Sequence, residues 1–195
     1  MKIILFNGPP GSGKDAAAAF TQRCLERDNL QVGVRKQKFA EPIKEAITEF
    51  FGMNGEQQRM FMETDMKNQP MDMLFGRSMR EILISFSENW AKKEFGDDVF
   101  GKLAYDQLSA YADAYDYTIF SDSGFQSEFD YIYYRMNWFD IYVIKLQRPK
   151  CNYNSDSRGY IDPRKAHTAE IYNNDTLHDF DMAIRDMLLQ FTLIK

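Results

Sequence analysis

The chain has 195 residues, of which 44% are hydrophobic and 15% aromatic, and its formal net charge is −5. That length suits one domain with a sizeable core, and the apolar content excludes a disordered chain. No apolar run approaches the roughly eighteen residues of a membrane span, and the acidic balance excludes a general basic face for nucleic acid.

In chain order, Ile3-Ile4-Leu5-Phe6 predicts a buried strand that runs straight into a glycine-rich stretch, Gly8-Pro9-Pro10-Gly11-Ser12-Gly13-Lys14-Asp15. The alanine-rich segment Ala16–Arg27 predicts a helix, and Gln31–Phe39 a second strand. A helix over Glu41–Phe51 is opened by Pro42, buries Ile43, Ile47, Phe50 and Phe51, and stops at Gly52. The stretch Glu56–Asp72 mixes methionine with charge, so it reads as a helical insertion in which Met60, Phe61, Met62 and Met66 are adaptable packing.

Two further helices follow from the spacing of Met79, Ile82, Leu83, Phe86 and Trp90, and of Val99, Phe100, Leu103, Leu108 and Tyr111. Tyr117–Asp122 predicts a buried strand ending in an acid, Ile141–Leu146 a strand closing on Arg148-Pro149, and Ala169–Tyr172 a last short strand. Leu177, Phe180, Ile184, Met187, Leu188 and Phe191 form one buried helical stripe. Most aromatics between Phe129 and Tyr142 read as packing. This alternation predicts an α/β fold, a five-stranded parallel sheet with helices on both faces and right-handed crossovers.

The strand, glycine loop and helix together form the Walker A arrangement, G-x-x-x-x-G-K, which makes this a P-loop candidate. Gly8, Gly11 and Gly13 let backbone N–H groups, with those of Ser12, Lys14, Asp15 and Ala16, turn toward a polyphosphate. The helix then offers its positive end, and Lys14 reaches the β and γ oxygens. Asp15 stands where Ser or Thr usually gives a hydroxyl to Mg²⁺. It is either a hard oxygen ligand for that metal, direct or through water, or an acid satisfied at a helix start.

Strand ends line the ligand crevice of open α/β sheets, so Asp122 and Arg148 are expected on the side of the glycine loop. Asp122 in a Walker B-like position organises a Mg²⁺ water, receives a hydrogen bond from the loop, or caps structurally. The polar segment 148–166, rich in Asn, Ser, Asp, Gly and Pro, reads as a mobile lid whose Arg148, Arg158 and Arg164 either fold over a transferring phosphate or sit solvated. Arg77 and Arg80, read as three apart on one helix face, either grip a monophosphate or pair with exposed acids. Lys44 has the same alternatives.

Cys24 and Cys151 lack metal-ligand spacing and read as reduced thiols, and His167 and His178 have no nucleophile or metal partner at useful spacing. The chain enters its first strand without a secretory signal pattern, so the cytoplasm is the expected compartment.

Gly11-Ser12-Gly13-Lys14-Asp15 with its alanine-rich helix, then Phe39-Ala40-Glu41-Pro42-Ile43-Lys44, Arg80-Glu81-Ile82-Leu83, the strand ending at Asp122, and Arg148-Pro149 before a polar loop resemble the bacteriophage deoxynucleoside monophosphate kinases. The order covers most of the chain, and the Walker loop is its specific part. The resemblance implies a P-loop nucleoside monophosphate kinase with ATP and Mg²⁺. Its core would be 1–40 and 114–195, with a helical acceptor-binding region over about 41–113 and a lid over about 148–166.

The resemblance also implies roles: Lys14, Asp15, Arg148, Arg158 and Arg164 in catalysis, Lys44, Arg77, Arg80 and Asp122 toward a dNMP, and Asp15 and Asp122 toward the metal. Its setting is the cytoplasm, that of the host if phage-encoded. A homodimer is open; nucleic acid and membrane are not expected partners. Two features depart from the family. Asp122 is followed by Ser123-Gly124-Phe125-Gln126 without the usual Arg, and the connection from His167-Thr168-Ala169-Glu170 to the last helix is short, which leaves Asn173 and Asn174 unaligned. The alternatives are a kinase for another small phosphorylated metabolite and a nucleotide-dependent switch protein.

Overall fold

The computed structural model describes residues 1–28, 30–154 and 156–195. From the N-terminus the elements are β1 (Lys2–Asn7), α1 (Lys14–Asp28), β2 (Val34–Gln37), α2 (Glu41–Phe50), α3 (Gly55–Glu63), β3 (Pro70–Met71), β4 (Arg77–Ser78), α4 (Met79–Ile84), α5 (Lys92–Phe95) and α6 (Val99–Ala110). They continue with β5 (Tyr117–Ser123), α7 (Gln126–Tyr133), β6 (Ile141–Gln147), β7 (His167–Tyr172) and α8 (Leu177–Gln190). The chain forms two compact units, Met1–Phe39 with Gly101–Lys195, and Ala40–Phe100.

The first unit holds a five-stranded sheet in the order β2-β5-β1-β6-β7, parallel throughout. β1 is central because Ile3, Ile4, Leu5 and Phe6 are all buried, as a strand covered on both faces requires. Ile4 and Phe6 join Ile119, Ile144 and Leu146 in one core with Ala17, Ala18 and Leu25 of α1 and Phe180, Ile184 and Leu188 of α8. Ile3, Leu5, Phe120 and Val143 are also fully buried, as are Phe129 and Ile132 of α7.

The structure trims the expected second strand, Gln31–Phe39, to Val34–Gln37, and β7 starts two residues earlier than its apolar run, at His167. Leu177 leaves the buried stripe. Thr176 caps α8, which puts Leu177 at its first exposed turn.

In the second unit, Pro42 lies in the first turn of α2, and Ile43 and Ile47 are buried. Phe61 and Met62 of the methionine-rich stretch are buried, whereas Met66 is exposed. α4 begins at Met79 because Ser78 caps it: the Ser78 hydroxyl accepts the Glu81 amide while the Glu81 carboxylate accepts the Ser78 amide at 2.8 Å.

The helix expected through Trp90 changes over Ser85–Ala91 to π-helical turns. These hold more residues per turn than an α-helix, so the apolar spacing drifts and Trp90 is left 52% exposed. Phe50, Phe86, Trp90 and Phe95 meet edge to face in a ladder instead. The two-residue ladder of β3 and β4 was not foreseen, since two residues carry no readable period.

Candidate functional site

β1 ends at Asn7 and α1 begins at Lys14, and the glycine-rich loop fills the gap. Two of its glycines are required by conformation: Gly11 has φ +79° and Gly13 φ +103°. Gly8 is required by space, because a Cβ there would lie 2.7 Å from the Leu146 carbonyl oxygen. Asn173, beyond β7, ties the loop down by donating from Nδ2 to the Ser12 carbonyl at 3.1 Å. The Ala17 amide reaches the Gly13 carbonyl at 2.9 Å, so α1 starts within the loop and its first amides, including that of Ala16, point out of the helix end.

Lys14 folds back over this loop. Its Nζ donates to the Gly8 carbonyl at 2.5 Å and to the Pro9 carbonyl at 2.8 Å. Burial, and then the Arg158 guanidinium, pull its pKa down to about 8 against the opposing pull of Asp15, Asp122 and Asp156. The ammonium is thus held on the two loop carbonyls against the cost of its burial.

Asp15 is clamped from two strands. Ser121 of β5 donates its hydroxyl to Asp15 Oδ1 at 2.8 Å, and Lys38, just past β2, lies 3.1 Å from the same oxygen. Burial pushes the carboxyl up, but Lys38, Ser121 and Lys14 outweigh it and hold the group below the usual range. Asp122, the expected Walker B-like acid, accepts the Phe39 amide on Oδ1 at 2.9 Å.

The segment 148–166, except Ser155, which lies outside the described residues, is tied to the sheet edge. Arg148 reaches from the end of β6 to the Gly11 carbonyl, 2.9 Å from its Nη1. Asn7, fully buried, accepts the Ile161 amide at 2.9 Å and donates to the carbonyls of Gly159 and Ser123 at 3.0 and 3.1 Å. Arg158 grips Asp156 with two nitrogens, at 2.8 and 2.7 Å, and its side chain lies over Gly124, where a Cβ would come within 2.8 Å of it. Arg164 is taken up by Asp130 of α7 at 3.0 Å and by Asp162 at 3.3 Å. Polar, turn-forming composition had suggested a mobile loop. Here Asn152, Asp156 and Asp162 make local turns, and Asn7 takes the Gly159 carbonyl and the Ile161 amide.

In the second unit, Lys44 of α2 is half-buried, with its carbonyl accepting the Thr48 hydroxyl at 2.7 Å. Arg80 is half-buried on α4. Arg77 does not share its helix face: it belongs to β4, because the Ser78 cap starts the helix at Met79, and its Nη2 donates to the Glu81 carbonyl at 3.3 Å.

Sequence reasoning passed over Asn7, Lys38, Ser121 and Asp156, and left Asn173 without a role. The one available signal was Asn7, a polar residue closing an apolar strand directly before the glycines. Among the described residues no group of three or more His, Cys, Asp or Glu could hold a metal ion. Asp15 and Asp122, two carboxylates, are donors of the kind Mg²⁺ takes, since that ion is usually held by one or two carboxylates, waters and substrate phosphates.

No family model matches the chain. A protein of Acanthamoeba polyphaga mimivirus described as "Putative deoxynucleotide monophosphate kinase" is 26% identical over 192 residues, covering 92% of each chain. The unliganded crystal structure of a sugar kinase from Janibacter sp. HTCC2649 is similar at a TM-score of 0.51 and 12% identity, over 99% of this chain and 95% of that one. The structural likeness, at 12% identity, shows the fold alone, an α/β architecture. The sequence likeness supports a kinase in general, and neither likeness is to a bacteriophage protein.

Proposed function

We propose that the protein is a P-loop deoxynucleoside monophosphate kinase that moves the γ-phosphate of ATP to a dNMP, giving dNDP and ADP. The observation that carries this reading is the glycine-rich loop at the start of α1. Lys14 is folded across it, Arg148 is bonded to its rim, and the Arg158 charge is felt at Lys14. Loop amides and the helix end would take the donor phosphates, and Lys14 would exchange two carbonyls for phosphate oxygens.

An acceptor phosphate oxygen attacks the γ-phosphorus as the bond to the leaving ADP oxygen breaks. The acceptor is already ionised near neutral pH, so no dedicated base is required. Positioned cations supply the catalysis, with Arg148 and Arg158 stabilising charge on the moving group. Mg²⁺, when bound, supplies further charge neutralisation, and Asp15, with Asp122, would hold it directly or through water. Arg164 serves here as an anchor of the lid to α7.

In this reading Arg80, Arg77, Lys44 and Asp122 are the residues toward the dNMP. A cytoplasmic setting, no nucleic-acid or membrane partner and an open possibility of a homodimer complete the proposal. Among the described residues no helix is long and apolar enough to cross a membrane.

Calorimetric titration with Mg²⁺ and ATP tests the donor half: binding by the parent protein, lost in a folded Lys14→Ala variant, is the expected result. Undiminished binding by that variant would move the nucleotide away from this loop.

A further inference from the structure

At the residue after the loop lysine, nucleotide-binding loops of this pattern carry Ser or Thr, and that hydroxyl together with an Asp on a neighbouring strand holds Mg²⁺. This chain keeps an acid at the end of the neighbouring strand, Asp122, and in place of the loop hydroxyl carries a second carboxylate that meets a hydroxyl from that strand. The carboxylate is Asp15, on the first turn of α1, and the hydroxyl facing it at 2.8 Å is Ser121, on β5. Strand geometry explains why Ser121 meets Asp15 and its neighbour does not. Successive side chains point to opposite faces, so Ser121 turns to the α1 side, while Asp122 turns to the side where it receives the Phe39 amide. Ser121 is only 7% exposed, a buried polar group with this carboxylate as its acceptor.

Both contacts on Asp15, from Ser121 and from Lys38, fall on Oδ1. The Asp15 side chain is nevertheless 77% exposed, so the contacts on one oxygen do not enclose the carboxylate. We propose that Asp15 and Ser121 are an exchanged pair, in which the helix carboxylate meets the metal and the strand hydroxyl, with Lys38, fixes that carboxylate through its other oxygen. Ser121 is then a positioning residue acting through Asp15, in the way that hydrogen-bonded partners of ligating carboxylates set metal affinity. The assignment rests on the nucleotide-binding reading above.

Reciprocal exchange tests it. Mn²⁺ affinity in the presence of ATP is measured by electron paramagnetic resonance for the parent, Asp15→Ser, Ser121→Asp and the double variant, with metal-free ATP binding and melting temperature as controls. Each single variant is expected to weaken Mn²⁺ about tenfold or more. The double variant, which restores one carboxylate and one hydroxyl, should return to within about threefold of the parent, a coupling that independent sites do not show.

A folded double variant no better than the weaker single overturns the exchanged pair. Should the buried carboxylate prevent folding, Ser121→Ala and Ser121→Thr decide: the alanine should lose affinity and the threonine keep it. Equal Mn²⁺ affinity in both, with only the melting temperature moved, would make the contact a plain clamp. A parent that binds no ATP removes the nucleotide reading itself. A parent that binds Mn²⁺ and ATP but ignores the exchange removes only this inference.

Discussion

The side-chain amide of Asn7 donates to the carbonyl of Gly159 at 3.0 Å, joining the end of the central strand to a segment 152 residues later in the chain. The same side chain accepts the Ile161 amide, and Ile161 is 1% exposed. Asn7→Ala leaves buried backbone groups unpaired at about 1–3 kcal/mol each. We expect a loss of about 2–4 kcal/mol in urea unfolding, with early protease cleavage within 151–161. Parent-like cleavage would mean that this side chain does not hold the segment.

Gly13→Ala tests the loop geometry. A Cβ would meet the Asn173 side-chain nitrogen at 2.8 Å, in a backbone conformation that costs L-residues about 1–2 kcal/mol. Since Asn173 also bonds to the Ser12 carbonyl, the loop must open to make room. Calorimetry should show a large loss of ATP affinity in a protein whose core still melts cooperatively.

Lys14 gives a pH signature. With its pKa lowered to about 8 in the ligand-free protein, kcat/KM for ATP should fall as pH rises through about 8. Bound phosphates favour the ammonium, so the corresponding limb of kcat should lie at higher pH. Arg158→Met removes a charge that depresses Lys14 and should shift the kcat/KM limb upward. The stability effect has the opposite sense to that of a paired lysine. Because the unfolded lysine titrates near 10.5, the unfolded chain binds more protons between about 8 and 10.5, and this group's contribution to stability rises with pH across that window. Lys14→Met should raise the melting temperature of the ligand-free protein at pH 7, and the gain should shrink toward pH 10.

The two arginines of segment 148–166 that pair with acids should separate. Arg158, held by Asp156 and electrostatically coupled to Lys14, should cost about a hundredfold in kcat when changed to Ala, the scale of losing one stabilising donor. Arg164 is occupied by two carboxylates on the surface, and Arg164→Ala should change kcat less than about threefold. Reversed magnitudes in single-turnover rates would exchange their roles.

The sheet was legible because strands buried on both faces write continuous apolar runs, and Ile3 to Phe6 and Ile141 to Leu146 do so without interruption. The loop was legible because its glycines are forced by backbone conformation and by the nearness of Leu146. What the sequence could not express were contacts between distant residues. Ser121 and Lys38 meet at Asp15 only because β5 and β2 are neighbours, and Asn7 finds Gly159 only once the segment after β6 has turned back. The π-helical turns at Ser85–Ala91 also escaped, since a change of helical period within seven residues leaves too few apolar positions to reveal it.

The most direct measurement is Mg²⁺-dependent ADP formation from ATP across a panel of dNMPs, NMPs and non-nucleotide phosphorylated metabolites, with products identified by chromatography and Lys14→Ala as control. The account predicts acceptor-dependent dNDP formation that the control lacks. ATP bound tightly by folded protein, with no phosphate transferred to any nucleotide, would contradict it.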